Sequence, residues 1–237
     1  MKIPSLLAFA LASAAVASPV FAGDLGSLQN LSQTQFAALS QDFTAAGSYK
    51  AVAPAEPLGV VGFDLGLEVS STRMEHADLW KRAGADSATL YLPRVHVHKG
   101  LPFNIDIGAS LSAAPGSDIK LVGGEIKYAF IEGNTVLPAV AVRAAGTHLS
   151  GVDQLSMNTR SLELTVSKGF LLATPYAGVG RVWGTLTPHV GGLREETPAA
   201  SKVFAGLNLN FGVANVVAEI DRTGGNQSAS VKLGFRL

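Results

Sequence analysis

The feature that most constrains this chain is an alternation of apolar and polar residues that recurs from Gly59 to the last residue. Val61, Phe63, Leu65, Leu67 and Val69 share one parity, and Gly62, Asp64, Gly66 and Glu68 share the other. Only an extended strand sends successive side chains to opposite faces, so the pattern predicts a strand with one apolar face. It returns near 88–98, 103–112, 119–130, 136–147, 159–168, 174–185, 202–212, 214–222 and 228–237. About ten antiparallel strands are expected, and an even number returns both ends to one side.

What covers the apolar faces decides the architecture. Charged residues are 15% of the chain, against the quarter or so of an ordinary soluble domain. The parity opposite the apolar one is mostly Gly, Ser, Thr, Asn and Ala, whereas a soluble sandwich with its apolar faces inward would need Lys and Glu outside. Beyond residue 22 no run approaches 18 consecutive apolar residues, so helices do not span a membrane here. A closed β-barrel is the other structure that satisfies every backbone group in lipid. The expected fold is therefore all-β: a closed antiparallel transmembrane barrel over residues 59–237. Longer connections near 71–87, 148–158 and 186–201 alternate with short ones at Lys99–Pro102, Glu132–Thr135 and Gly212–Val213, although Ala113–Ser117 and Thr223–Gln227, which belong on the long side, are fairly short. Phe103, Tyr128, Phe130, Phe211 and Phe235 gather at the short-turn ends, as an interfacial girdle would.

The residues before the barrel read differently. Lys2, the apolar run Leu6 to Val16 and Val20-Phe21-Ala22 have the layout of a secretory signal peptide, expected over residues 1–22. The chain has no cysteine. Its net charge is zero, and one unit negative once Lys2 is removed, so no basic surplus favours nucleic acid. Next, Ser32 and Gln35 have capping-box spacing, and Phe36, Leu39 and Phe43 recur at helical intervals. A short helix over 33–46 is expected, followed by an Ala/Pro linker from Ala51 to Pro57. Residues 23–58 thus form an appendage to the barrel.

The last strand alternates Val231, Leu233, Phe235 and Leu237 with Ser230, Lys232, Gly234 and Arg236 and runs to the final residue. It resembles the C-terminal strand of bacterial outer-membrane β-barrel proteins. The family usually ends on an aromatic residue, whereas this chain ends Phe235-Arg236-Leu237. The resemblance implies an outer-membrane location in a Gram-negative cell, lipid as the surrounding partner and the barrel-assembly machinery as the reader of that strand.

With apolar residues toward lipid, the other parity lines a lumen of mixed charge. Pairing through the short turns sets Glu125 across from Arg143 and His96 across from Asp106, and a symmetric hairpin sets Arg143 opposite Glu163. Such a ladder neutralises buried charge, or forms a constriction that sorts solutes. His96 and His98 share a face and are weak candidates for a metal site, with His148, His189 or Asp106 as completing ligands. No G-x-S-x-G, H-E-x-x-H, P-loop or G-x-G-x-x-G motif occurs, so no catalytic residue and no cofactor is assigned. His76, His148 and His189 in outer loops remain available to a non-local triad. About ten strands enclose a narrow interior. Two functions are open: a narrow or gated conduit for small solutes, and a non-conducting structural or binding barrel acting through its outer loops. An outer-membrane hydrolase is a third, more remote reading. The helix is expected to occlude the lumen, seating Phe36, Leu39 and Phe43 near Gly62, Gly66, Gly206 and Gly234.

Overall fold

The computed structural model of the protein describes residues 28–82, 87–113 and 120–237. The expected signal peptide lies outside them. Ten strands form one closed antiparallel barrel in sequence order: β1 Phe63–Arg73, β2 Thr89–Leu101, β3 Ile105–Ala113, β4 Lys120–Ile131, β5 Ala139–Ser150, β6 Leu155–Ser167, β7 Ala173–Pro188, β8 Ala199–Phe211, β9 Ala214–Thr223 and β10 Asn226–Arg236. β1 and β10 close the ring in an unbroken register from Asp64 opposite Arg236 to Arg73 opposite Gln227. Closure leaves no edge strand with unpaired backbone groups, as a membrane requires.

Along the middle of each strand the apolar parity faces out. Leu65, Leu67, Val95, Ile126, Leu164, Val179, Leu207, Val231 and Leu233 are exposed, while Asp64, Glu68, Glu125, Arg143, Glu163 and Lys232 are buried. Phe103, Tyr128, Phe130, Phe211 and Phe235 are also exposed, at the end carrying the turns 102–104, 132–138, 168–172 and 212–213. This is the girdled, lipid-facing surface of a membrane barrel.

At the opposite end the parity reverses its meaning. Leu90, Leu92, Leu121, Leu149, Leu155, Met157 and Leu186 point inward and are buried, while Thr89, His148, Ser150, Ser156 and Asn158 point outward. β6 carries the switch within one strand: Leu155 and Met157 face in, Leu162 and Leu164 face out, and Arg160 marks the change. Above that level the barrel is built like a water-soluble one, with an apolar core and a polar outside. The longer connections 74–88 and 189–198 lie here, the first carrying a short helix α2, Ala77–Arg82.

What fills that core is the N-terminal segment. Helix α1 spans Gln33–Gly47 and opens on the capping box: Gln35 N–H donates to Ser32 Oγ at 3.3 Å, and Ser32 N–H to Gln35 Oε1 at 2.9 Å. It packs inside the barrel against β6, β7, β8 and β10. Phe36, Leu39 and Phe43 are sealed from solvent in one cluster with Trp80, the inward leucines and Met157.

Candidate functional site

Among the described residues buried charge concentrates in the lumen, and the path of the N-terminal segment defines it. Gln33, at the start of α1, donates to the Arg194 carbonyl at 3.1 Å and so lies at the long-loop end. Leu58 N–H donates to Asp106 near the start of β3, at the short-turn end. Residues 33–58 therefore thread the barrel from one mouth to the other.

Below α1 the thread is extended and contains Pro54 and Pro57, so it cannot satisfy its own carbonyls. The wall does so instead. Arg94 donates to the carbonyls of Ala46 and Ser48 at 3.3 and 3.4 Å, and Thr147 to that of Gly47 at 2.8 Å. Lys202 reaches the Tyr49 carbonyl at 3.3 Å and Arg143 the Ala53 carbonyl at 3.4 Å. Lys127 donates to Pro54 and Glu56 at 3.2 and 2.8 Å. The thread returns a cation of its own: Lys50 Nζ lies 2.6 Å from Asp221 and 3.1 Å from Ser228 Oγ, fully buried.

Each wall cation also holds a carboxylate. Arg143 lies between Glu125 at 3.0 Å and Glu163 at 3.1 Å, and Lys202 joins Glu163 at 2.8 Å. Lys127 pairs with Asp106 at 2.8 Å and Lys232 with Asp64 at 3.1 Å. Arg94 meets Glu68 at 3.5 Å. A buried ion is tolerated only when paired and hydrogen-bonded, and here the second set of partners is the threaded backbone.

Several sequence-based expectations need adjustment. Arg143 and Glu163 are cross-strand partners, whereas Glu125 stands opposite Ala145 and meets Arg143 diagonally. His96 does not face Asp106: its cross-strand neighbour on β3 is Ser110, while Asp106 stands opposite Gly100. The cause is the β2–β3 turn, which falls later than expected, over Pro102–Asn104 instead of Lys99–Pro102, where Phe103 and Asn104 both take left-handed conformations, φ 65° and 59°. The strands therefore pair as far as Leu101 and Ile105, and His96 instead meets Glu68 through Nε2 at 2.5 Å.

His96 and His98 do stack, with ring centroids 5.7 Å apart, but they do not gather the completing ligands considered for a metal. His98 lies 3.5 Å from Glu125 and 3.4 Å from Tyr49 Oη, Asp106 holds Lys127, and His148 and His189 are on the outer surface. His148 Nδ1 contacts Asn158, and His189 bridges Ser156 Oγ and the Asp153 carbonyl, with no carboxylate orienting it among the described residues. The glycines expected to receive α1 serve other neighbours: Gly66 is covered by Lys232, Gly206 by Tyr176 and Gly234 by Asn215, while Gly62 abuts the Leu58 backbone. The close approaches are instead Thr44 on Gly184 and Tyr49 on Gly123.

Sequence reasoning missed Lys50, Lys202 and Asp42. Asp42 is buried on α1 and accepts from Trp80 Nε1 at 2.9 Å and from His76 N–H at 3.0 Å, so it ties the thread to the loop after β1. With Glu75 these groups form a cluster of metal-ligating type, but the Asp42 oxygens are already engaged by donors. A charged residue on an otherwise apolar helix face was the available signal.

No protein-family model and no curated protein matches this sequence. Solved structures with a similar barrel include the N-terminal β-barrel domain of Pseudomonas aeruginosa OprF, 15% identical, covering 73% of this chain and 97% of that one, with a TM-score of 0.39. Ail of Yersinia pestis is 11% identical, covering 77% and 99%, with a TM-score of 0.35. The KdgM porin is 9% identical, covering 74% and 98%, with a TM-score of 0.36. These likenesses concern the fold alone.

Proposed function

We propose that the protein is an outer-membrane barrel that is closed to solutes at rest, and that its N-terminal segment is the permanent core of the barrel. The observation that carries this reading is the threaded lumen: residues 33–58 occupy it from mouth to mouth, with Lys50 buried against Asp221 and the wall cations spent on thread carbonyls. The location rests on the girdled apolar band, the expected signal peptide over residues 1–22 and the C-terminal strand, which the barrel-assembly machinery would engage. Work at the cell surface then falls to the outer loops and the soluble-like rim, and no enzymatic role is assigned.

A gated conduit for small solutes is the second reading, favoured by one feature. Below α1 the thread is held mainly by hydrogen bonds to charged wall groups, beside two small apolar contacts of Val52 with Tyr176, Phe204 and Val217 and of Ala55 with Ala129, Ala139 and Ala141, so its departure would leave a passage lined with charge. Planar-bilayer conductance separates the two. The intact protein should pass no steady current and show no voltage-driven openings, while a variant lacking residues 28–57 should conduct. Recurrent openings of the intact protein would favour the conduit. Recovery in the outer-membrane fraction with heat-modifiable migration tests the location.

A further inference from the structure

Every charged side chain on the outward face of the ten strands is basic: Arg73, Lys99, Lys120, Arg160, Arg181 and Arg222. The seven strand carboxylates all face the lumen. Lys99 lies at the short-turn end and donates to the carbonyls of Val60 and Gly62. The other five sit at or above the upper margin of the apolar band, where a cation on the lipid-facing surface costs little.

Two of the five overlook a groove. Arg73 on β1 stands opposite Gln227 on β10, and Gln227 stands opposite Arg222 on β9, so the three form one row across adjacent strands. Strand spacing puts the two arginine Cα atoms about 10 Å apart, with Gln227 between them. The next outward row below is Tyr91, Ser71, Ala229, Ile220 and Ala205, again in direct register. Ser71 and Ala229 make a low floor between Tyr91 and Ile220, with Ala205 on the far side of Ile220, in a surface groove of about 790 Å³. Neither arginine forms an ion pair among the described residues, and Arg222 commits only Nε, to the Gly224 carbonyl at 3.1 Å.

We propose that this groove holds one outer-leaflet lipid bearing a phosphate, with the phosphate between Arg73 and Arg222 and an acyl chain over Ser71 and Ala229. The proposal rests on the outer-membrane reading above. Three features fit such a lipid together: two guanidiniums without an ion-pair partner among the described residues, each with its terminal nitrogens open to phosphate, an apolar trough directly beneath them, and a position at the long-loop end. A free phosphate would use the first feature and leave the trough unexplained.

The test is the amount of lipopolysaccharide that stays with the protein when it is extracted from outer membranes in mild detergent and purified. The double variant Arg73→Gln with Arg222→Gln should retain on the order of tenfold less. Ala229→Trp, which fills the trough and leaves both arginines, should also lose most of it. Arg160→Gln with Arg181→Gln removes the same charge from the far side of the barrel and should retain the wild-type amount. Inorganic phosphate at tens of millimolar should not displace the lipid. Heat-modifiable migration and outer-membrane recovery confirm that each variant is folded and in place; failure of the wild type to reach the outer membrane would sink the location reading instead. Equal retention by all variants, or equal loss from both arginine pairs, overturns the proposal. Displacement by phosphate with no effect of Ala229→Trp would identify a free-anion site and overturn it as well.

Discussion

Lys50 Nζ, carried by the threaded segment, lies 2.6 Å from Asp221 on the barrel wall, and both side chains are shut off from solvent. The pair joins two parts of the chain 171 residues apart. Replacing Lys50 by Met should leave Asp221 buried with only Thr223 as a donor and destabilise the barrel by about 3–5 kcal/mol. Adding Asp221→Leu should recover most of that loss, because an apolar pair carries no stranded charge. Urea or heat unfolding followed by gel mobility reads both; a single variant as stable as the parent would show that the pair does not anchor the thread.

Phe36→Asp together with Leu39→Asp places two carboxylates in the sealed apolar cluster at the outer end. Burial without partners is prohibitive, so α1 should leave the lumen while the wall hydrogen bonds keep the ring closed. The expected result is a folded barrel with lower thermal stability and a new conductance. A protein that stays non-conducting would mean that the lower thread alone closes the passage.

At Gly184 α1 packs directly on β7, since a methyl group there would run into Thr44. Gly184→Val should displace the helix or bend the strand, at a cost of about 1–3 kcal/mol. Combining it with Thr44→Gly should return part of the stability. Additive losses in the double variant would place the strain elsewhere.

Trp80→Phe keeps the ring against Phe43, whose centroid lies 4.7 Å away, but removes the Nε1–H that Asp42 accepts. Asp42 retains only His76, and a loss of about 1–3 kcal/mol is expected. It should appear as faster proteolysis of the 74–88 connection in intact cells, since that loop is tied to the thread through Asp42. Unchanged protease resistance would assign the tie to the aromatic contact.

The alternation of Val61 to Val69 and its nine repeats determined the number of strands and which parity of each is apolar, because side-chain period is a local property of extended backbone. Ser32 and Gln35 likewise determined where α1 begins, since a cap is made within one turn. Register was only partly local. Arg143 meets Glu163 across a loop whose geometry is ordinary, but His96 and Asp106 are parted by left-handed Phe103 and Asn104, a conformation that no pattern of hydrophobicity encodes.

The tertiary structure alone decided what fills the ring. Leu155 and Met157 break the outward parity of Leu162 and Leu164, yet their inward burial has meaning only once Phe36, Leu39 and Phe43 arrive from more than 100 residues away. Lys50 stands among Ala, Val and Pro with no sequence partner in reach, and its counter-ion lies on the next-to-last strand. Periodicity reports which face of an element is apolar; whether lipid or another segment covers that face depends on long-range packing, which the local pattern does not contain.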